Sequence, residues 1–109
     1  RLGRGSLRDL SREPDGWTPL MAACSSGHAS IARALLEHGA NPGAAAGDGF
    51  TALMEACTNG HYEVVDLLLR AGSDLAQASD GTSPLLLASL YGHAAVVELL
   101  LGARADPAQ

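Results

Sequence analysis

The apolar positions of the chain follow a series that appears three times, at intervals of 33 and then 32 residues. Each copy opens with an Asp-Gly pair, at Asp15-Gly16, Asp48-Gly49 and Asp80-Gly81. A first apolar run then ends at a Gly-His pair, and a second apolar run ends with two leucines on one helical face. Each copy is therefore predicted to be a tight turn followed by two short helices.

Residues that start or stop helices stand at the expected places in each copy. The first helix is preceded by a hydroxyl side chain that can cap it, in Thr18, Thr51 and Ser83. Proline, which needs no amide partner at the first helical position, follows as Pro19 and Pro84. Glycine is predicted to end each first helix in the left-handed conformation, at Gly27, Gly60 and Gly92. Gly39 and Gly72 are predicted to end the first two of the second helices.

The order of turn, helix and helix, with its Thr-Pro-Leu and Gly-His signatures, resembles the ankyrin repeat family over roughly residues 13–109. The resemblance implies an all-α repeat solenoid in which each repeat is a β-turn finger plus an antiparallel helix pair. It also implies that the first helices line a concave groove and that the fingers project to one side. We predict repeat 1 at 13–45, repeat 2 at 46–77 and repeat 3 at 78–109.

The chain departs from the family pattern at two kinds of position. The histidine that usually follows Thr-Pro-Leu is replaced by Met21, Met54 and Leu86, so apolar bulk stands where the family ties its turns together. Arg104 stands in the column of Gly39 and Gly72. A left-handed non-glycine residue costs about 1–2 kcal/mol, so Arg104→Gly is predicted to raise the melting temperature.

Neither end carries a polar capping repeat. Residues 1–12 are interpreted as the tail of a preceding repeat or an N-terminal cap, and Asp106-Pro107 matches the linker at Asn41-Pro42. Repeat 3 is also the most apolar of the three. We therefore expect a piece of a longer array that continues on both sides. The alternative is a complete three-repeat domain that associates with itself through the exposed face of repeat 3.

Composition narrows the class of protein further. The net charge is −5, and four of the seven arginines fall within residues 1–12, so the acidic remainder disfavours direct nucleic-acid binding. No apolar stretch is long enough for insertion in a membrane. Two cysteines are too few for a disulfide framework, which together with the fold indicates an intracellular protein, cytoplasmic or nuclear.

Catalytic, cofactor and metal sites are not predicted. His28, His61 and His93 share one column, but neighbouring helices lie about 10 Å apart, too far to share one zinc ion. The same spacing separates Cys24 from Cys57, which are interpreted as small buried residues. His38 is isolated near a helix end. The chain contains no phosphate loop, nucleophile elbow or metalloprotease motif, so we predict a non-enzyme.

The candidate partner-binding residues are those that the repeat does not dictate. One column, directly after the turn glycine, is predicted to offer exposed anchors at the base of the fingers, in Trp17, Phe50 and Thr82. The alternative is that they pack on neighbouring fingers. Groove positions are expected near the end of each first helix, in Ser25, Ser26, Thr58, Asn59, Leu90 and Tyr91. Acidic side chains are expected around them, in Glu55, Asp15, Asp48 and Asp80.

These residues favour an adaptor or scaffold module that binds another protein. The groove would take a peptide segment or a folded surface, with a preference for basic residues beside an apolar anchor. The alternative function is structural: the chain forms part of a longer scaffold or a self-associating array whose partner contacts lie elsewhere.

Overall fold

The computed structural model describes residues 16–77 and 81–105 of the chain, and these residues form six helices. The helices are α1 (Pro19–Ser26), α2 (Ala29–Glu37), α3 (Ala52–Asn59), α4 (Tyr62–Arg70), α5 (Pro84–Leu90) and α6 (Ala94–Ala105). The prediction of two helices per repeat is confirmed. Repeats 1, 2 and 3 refer below to the predicted ranges 13–45, 46–77 and 78–109. Residues 1–12, interpreted as a tail or cap, and the linker match at Asp106-Pro107 lie outside the described residues.

The first helix of every repeat starts at the predicted hydroxyl cap. The Thr18 side chain accepts a hydrogen bond from the Met21 amide at 3.1 Å. The Thr51 and Ser83 hydroxyls accept the corresponding amides of Met54 at 3.2 Å and Leu86 at 3.1 Å. Each bond satisfies an amide that has no partner inside the helix. The three first helices are therefore started by the same local interaction.

The predicted glycines lie at the ends of the first helices: Gly27 and Gly60 cap α1 and α3 directly, and Gly92 follows Tyr91, the C-cap of α5. Gly27, Gly60 and Gly92 have φ values of 80°, 72° and 76°, in the left-handed region. The histidine that follows each of them donates its amide back to the last turn, as His28 does to the Ala23 carbonyl at 2.9 Å. This arrangement reverses the chain within two residues, so the second helix folds back against the first.

The six helices pack in two rows. In one row α1 contacts α3 and α3 contacts α5, and in the other α2 contacts α4 and α4 contacts α6. The contacts between first helices are more extensive than those between second helices. One hydrophobic cluster runs through all three repeats between the rows. Its largest fully buried members include Leu20, Leu53, Leu68, Val96 and Leu100.

The second helix of repeat 3 differs from the other two, and here the prediction was wrong. Gly39 and Gly72 follow α2 and α4 with φ values of 96° and 95°, as predicted. However, α6 has twelve residues and continues through the aligned position, so that Arg104 is helical. The expected left-handed strain at Arg104 is absent. Because glycine in a helix is unfavourable by about 0.5–1 kcal/mol, Arg104→Gly is now expected to lower stability.

Candidate protein-binding surface

The turn finger between repeats 1 and 2 is held by backbone hydrogen bonds and by one aspartate. The Gly49 amide donates to the Ala46 carbonyl at 2.8 Å, and the Ala46 amide donates to the Phe50 carbonyl at 2.9 Å. Asp48 Oδ1 accepts the Phe50 amide at 3.0 Å. Asp48 therefore stabilises its own turn, as aspartate commonly does. Asp15 and Asp80, predicted at the other finger tips, lie outside the described residues.

The predicted column of exposed anchors is not fully exposed. Trp17 and Phe50 are half-buried and pack against the hydrophobic cluster, while Thr82 is half-buried. The Trp17 Nε1 atom is itself buried and finds no hydrogen-bond acceptor in the part of the chain that the structure describes. The two rings are only partly open to solvent and pack against the core, so the expectation of fully exposed anchors is corrected.

The ends of α1 and α3 are joined by polar contacts. Asn59 Nδ2 donates to the Ser25 carbonyl at 3.0 Å, to the Ser25 hydroxyl at 3.2 Å and to the Glu55 carbonyl at 3.1 Å. The Thr58 hydroxyl donates to the Met54 carbonyl at 2.9 Å. Ser25 and Asn59, both predicted as groove positions, thus help to hold repeats 1 and 2 together, whereas the Thr58 hydroxyl bonds within its own helix.

Glu55 has the most perturbed acidic group among the described residues. It lies in the first turn of α3 and is half-buried. Burial raises the pKa of its carboxyl group above the ordinary value, and the negative charge of Asp48 raises it further. A cation placed beside Glu55 would stabilise the ionised carboxylate and so oppose the effects of burial and of Asp48. The site is thus better suited to a basic side chain than to another acid.

Three predicted groove residues have exposed side chains. Ser26 is exposed at the end of α1. Leu90 and Tyr91, at the end of α5, are 68% and 55% exposed. Single exposed apolar side chains are common on protein surfaces, whereas adjacent ones can form a patch that marks a contact site.

Three of the histidines make structural contacts, and both cysteines are buried. His61 and His93 each contact the preceding repeat through a backbone carbonyl, and His38 Nδ1 lies 2.9 Å from the Ala34 carbonyl of its own helix. Cys24 and Cys57 are buried and free, and burial raises the pKa of both thiols to about 12. Thiols that remain protonated at neutral pH are poor nucleophiles.

A family model described as ankyrin repeats matches the chain in three copies, over residues 4–78 and 45–109. The chain belongs to the ankyrin repeat family. Ankyrin repeats are generally protein–protein interaction modules and are typically not enzymes. The family assigned from the sequence is therefore confirmed.

The part of the ankyrin chain that the structure describes offers neither a metal site nor a membrane-spanning helix. Within 16–77 and 81–105, no three side chains of the His, Cys, Asp or Glu type come together in a way that could hold a metal ion. No helix in the same ranges is both long and apolar enough to cross a bilayer.

The structure also shows surface features that the sequence did not predict. An open groove of about 820 Å³ lies between α4 and α6, on the side of the second helices, and is lined partly by Tyr62, Glu98 and Leu99. Arg70 at its edge is paired with Asp66, with 3.0 Å between Nε and Oδ2. Leu86 and Ile31 are exposed although their columns are apolar throughout. The sequence signal for them was their position in the first and the third of the three repeats.

Proposed function

We propose that this ankyrin chain is an adaptor or scaffold module, which binds a segment of another protein along its first helices. The preferred segment carries Arg or Lys beside an apolar residue. The observation that carries the proposal is the half-buried carboxyl of Glu55, which has no structural role in the repeat pattern: alanine and leucine occupy its column in the other two repeats.

The electrostatic part of the proposal rests on Glu55 and its surroundings. Its pKa is raised by burial and by Asp48, so the ionised form is destabilised in the free protein. A guanidinium or ammonium group at hydrogen-bond distance would stabilise the ionised form. Affinity for a basic segment should therefore increase as the pH rises through the pKa of Glu55.

The apolar part of the proposal rests on the exposed side chains of α5. Tyr91 offers an aromatic ring and a hydroxyl, and Leu90 offers an adjacent apolar surface. Tyrosine is enriched among residues that dominate binding energy, because it buries a large area at low entropic cost. Since α5 packs directly on α3, one extended segment could reach both Tyr91 and Glu55.

The closer contact between first helices supports a concave surface on their side, as the family implies. The tightest partner contacts are proposed there, while Trp17 and Phe50 support the surface from below and Asp15, Asp48 and Asp80 contribute negative charge. The two free cysteines support an intracellular location, cytoplasmic or nuclear.

Selection from a displayed random-peptide library on the purified chain tests this function. The enriched peptides should carry Arg or Lys beside an apolar residue. Glu55→Gln and Tyr91→Ala should each weaken binding of an enriched peptide by about tenfold or more, and high salt should weaken the wild-type complex. Trp17→Ala is a poor probe because its ring supports the core.

Matched controls come from α4 on the opposite row of helices. Glu63→Gln and Tyr62→Ala remove the same chemical groups at exposed positions and should leave peptide affinity unchanged. The proposal is wrong if the control variants weaken binding as much as the groove variants. Enrichment of purely apolar or acidic peptides would remove the preference for basic segments.

A further inference from the structure

The groove between α4 and α6 lies in the row of second helices, so the hydrophobic cluster separates it from the row of first helices. Its volume is about 820 Å³, and it is open to solvent. Both walls belong to described helices, at the junction of repeats 2 and 3. A further repeat would pack on the side of α6 that faces away from α4. The groove therefore does not depend on where the stack begins or ends.

One wall of the groove carries an aromatic ring that the repeat pattern does not require. Tyr62 is 48% exposed in the first turn of α4, whereas alanine stands in its column in the other repeats, as Ala29 and Ala94. The other wall is lower, because Ala95 on α6 stands in the column of the longer Glu63. The ring is therefore beside a space that a side chain of another molecule can enter.

The wall formed by α6 is also low in its second half. Gly102 stands in the column of Glu37 and Arg70, and Ala103 follows it. In the described part of the chain, a Cβ atom added to Gly102 would meet no atom within 4 Å. The distance between packed helices, about 8–10 Å, depends on the side chains at their contact. Small side chains on α6 therefore allow the backbone of another molecule to come close.

Two carboxylates flank the aromatic ring, one on each wall. Asp66 lies one turn after Tyr62 on α4, and Glu98 occupies the aligned position on α6, where it is exposed. Arg70 Nε lies 3.0 Å from Asp66 Oδ2, so the lining carries two negative charges and one positive charge. A cation over the ring of Tyr62 would be attracted by the face of the ring and by the carboxylates. The groove is therefore complementary to a basic side chain rather than an acidic one.

The shape of the groove suits a helix. The backbone groups inside α4 and α6 are paired within their own helices, so the walls offer only side chains. A partner helix also pairs its own backbone groups and can lie between two helices without unpaired amides. From Tyr62 to Arg70 the groove is about 12 Å long, at about 1.5 Å per residue, which is about two helical turns. The half-buried Leu69 and Leu99 supply apolar contacts along it.

We propose that this groove binds a helix of another protein, whose contact face carries Arg or Lys one turn from small and apolar residues. The basic side chain lies over the Tyr62 ring, between Asp66 and Glu98, and the apolar residues contact Leu69 and Leu99. A protein helix is the occupant because small ligands are usually buried over about 70–90% of their surface, which so open a groove does not allow.

This inference goes beyond the function proposed above. The groove and the first helices lie on opposite sides of the hydrophobic cluster, so occupation of one leaves the other accessible. One chain can thus hold two different proteins at once, a peptide segment along the first helices and a helix along the second helices.

Selection from a displayed library of small helical proteins, randomised on one helix face, tests the proposal on the purified chain. Helices that also bind Tyr62→Ala are removed, so the enriched ones depend on the ring. They should carry Arg or Lys one turn from apolar residues. Replacement of that basic residue by alanine should weaken binding by about tenfold or more, and high salt should weaken it as well.

Two variants on the opposite wall provide the independent test. Glu98→Arg reverses the charge and Gly102→Arg fills the groove, and each should weaken binding of an enriched helix by about tenfold or more. The fold should survive, because arginine already stands in these columns as Arg33 and Arg70. Circular dichroism would verify this. Glu37→Arg, the same charge reversal at an exposed position of α2, is the matched control and should leave affinity unchanged.

Four results would overturn the proposal: no helix that depends on Tyr62 is enriched, the enriched helices are acidic or purely apolar, Glu98→Arg and Gly102→Arg bind like wild type, or Glu37→Arg weakens binding as much as Glu98→Arg. Glu55→Gln and Tyr91→Ala should leave helix affinity unchanged, and a loss in both would place the helix on the first helices instead. Peptide binding along the first helices depends on Glu55 and Tyr91, so either proposal can fail without the other.

Discussion

Repeats 2 and 3 have nearly the same local structure but different surroundings. Their first helices start with capping hydrogen bonds of 3.2 and 3.1 Å and are followed, directly or after one residue, by glycines with φ of 72° and 76°. Yet Met54 is fully buried while Leu86 is nearly half exposed, and Cys57 is buried where Ser89 is exposed. Only repeat 2 has a described repeat on both sides. The comparison shows that neighbouring residues determine the helices, whereas the next repeat determines burial.

The largest effect is expected when the apolar residue at the same aligned position is replaced by alanine, in repeat 2 and separately in repeat 3. Met54→Ala should destabilise the chain by about 2–5 kcal/mol, because it leaves a cavity in the shared core. Leu86→Ala should cost less than about 1 kcal/mol, since its side chain is already partly in water. Urea denaturation at low protein concentration measures both. Equal losses would mean that Leu86 is covered in the folded chain.

Thiol chemistry tests the same comparison without changing the core. Ser89→Cys places a thiol in the column of Cys24 and Cys57. Burial raises the pKa of the two native thiols to about 12, whereas an exposed thiol ionises near pH 8.5, so the introduced thiol should react at least about a hundredfold faster at pH 8. Its rate should level off above its own pKa, while the native rates should keep increasing.

Timed labelling with a disulfide reagent, read by mass spectrometry, measures the three sites separately. A denatured sample provides the control, in which all three thiols should react at similar rates. Equal rates in the folded protein would show that the first helices open readily and that the burial contrast between repeats 2 and 3 is lost in solution.

Most of the fold could be predicted from local residues. The helix starts could be predicted from the capping residues Thr18, Thr51 and Ser83, and the helix ends from the glycines that follow. Each of these residues acts within a few positions of its own place in the chain. The end of α6 was the exception. Because Arg104 aligns with Gly39 and Gly72, the second helix of repeat 3 was predicted to stop there as the other two do. Arginine does not favour positive φ, and the helix continues through Arg104.

The candidate site was less predictable, because it depends on contacts between repeats. Trp17 and Phe50 were expected to be exposed anchors, yet they are half-buried and pack against the hydrophobic core. Asn59 was expected to be a groove position, yet it reaches across to Ser25, which is 34 residues away in the chain. Periodicity places such residues in columns but does not tell which column members touch across the stack.

The next comparison concerns the glycines beneath the histidine rings. Gly60→Ala and Gly92→Ala both force alanine into the left-handed region, at about 1–2 kcal/mol. At Gly60 the new methyl group would also lie 2.6 Å from His93 Cε1, which should add about 1–3 kcal/mol. Thermal or urea unfolding gives the difference. If the two variants lose the same stability, the ring of His93 is free to move away without cost.

The smallest expected effect lies in the second helices, where α6 carries Gly102 in the column of Glu37 and Arg70. Gly102 is helical, and in the described part of the chain an added Cβ would meet no atom within 4 Å. Gly102→Ala should therefore stabilise the chain by about 0.5–1 kcal/mol, through lower backbone entropy in the unfolded state. Gly72→Ala, at a φ of 95°, is the matched control and should destabilise it. The opposite signs follow from backbone conformation alone, since both positions are open. A loss of stability in Gly102→Ala, measured by urea denaturation, would indicate that α6 ends before Gly102 in solution.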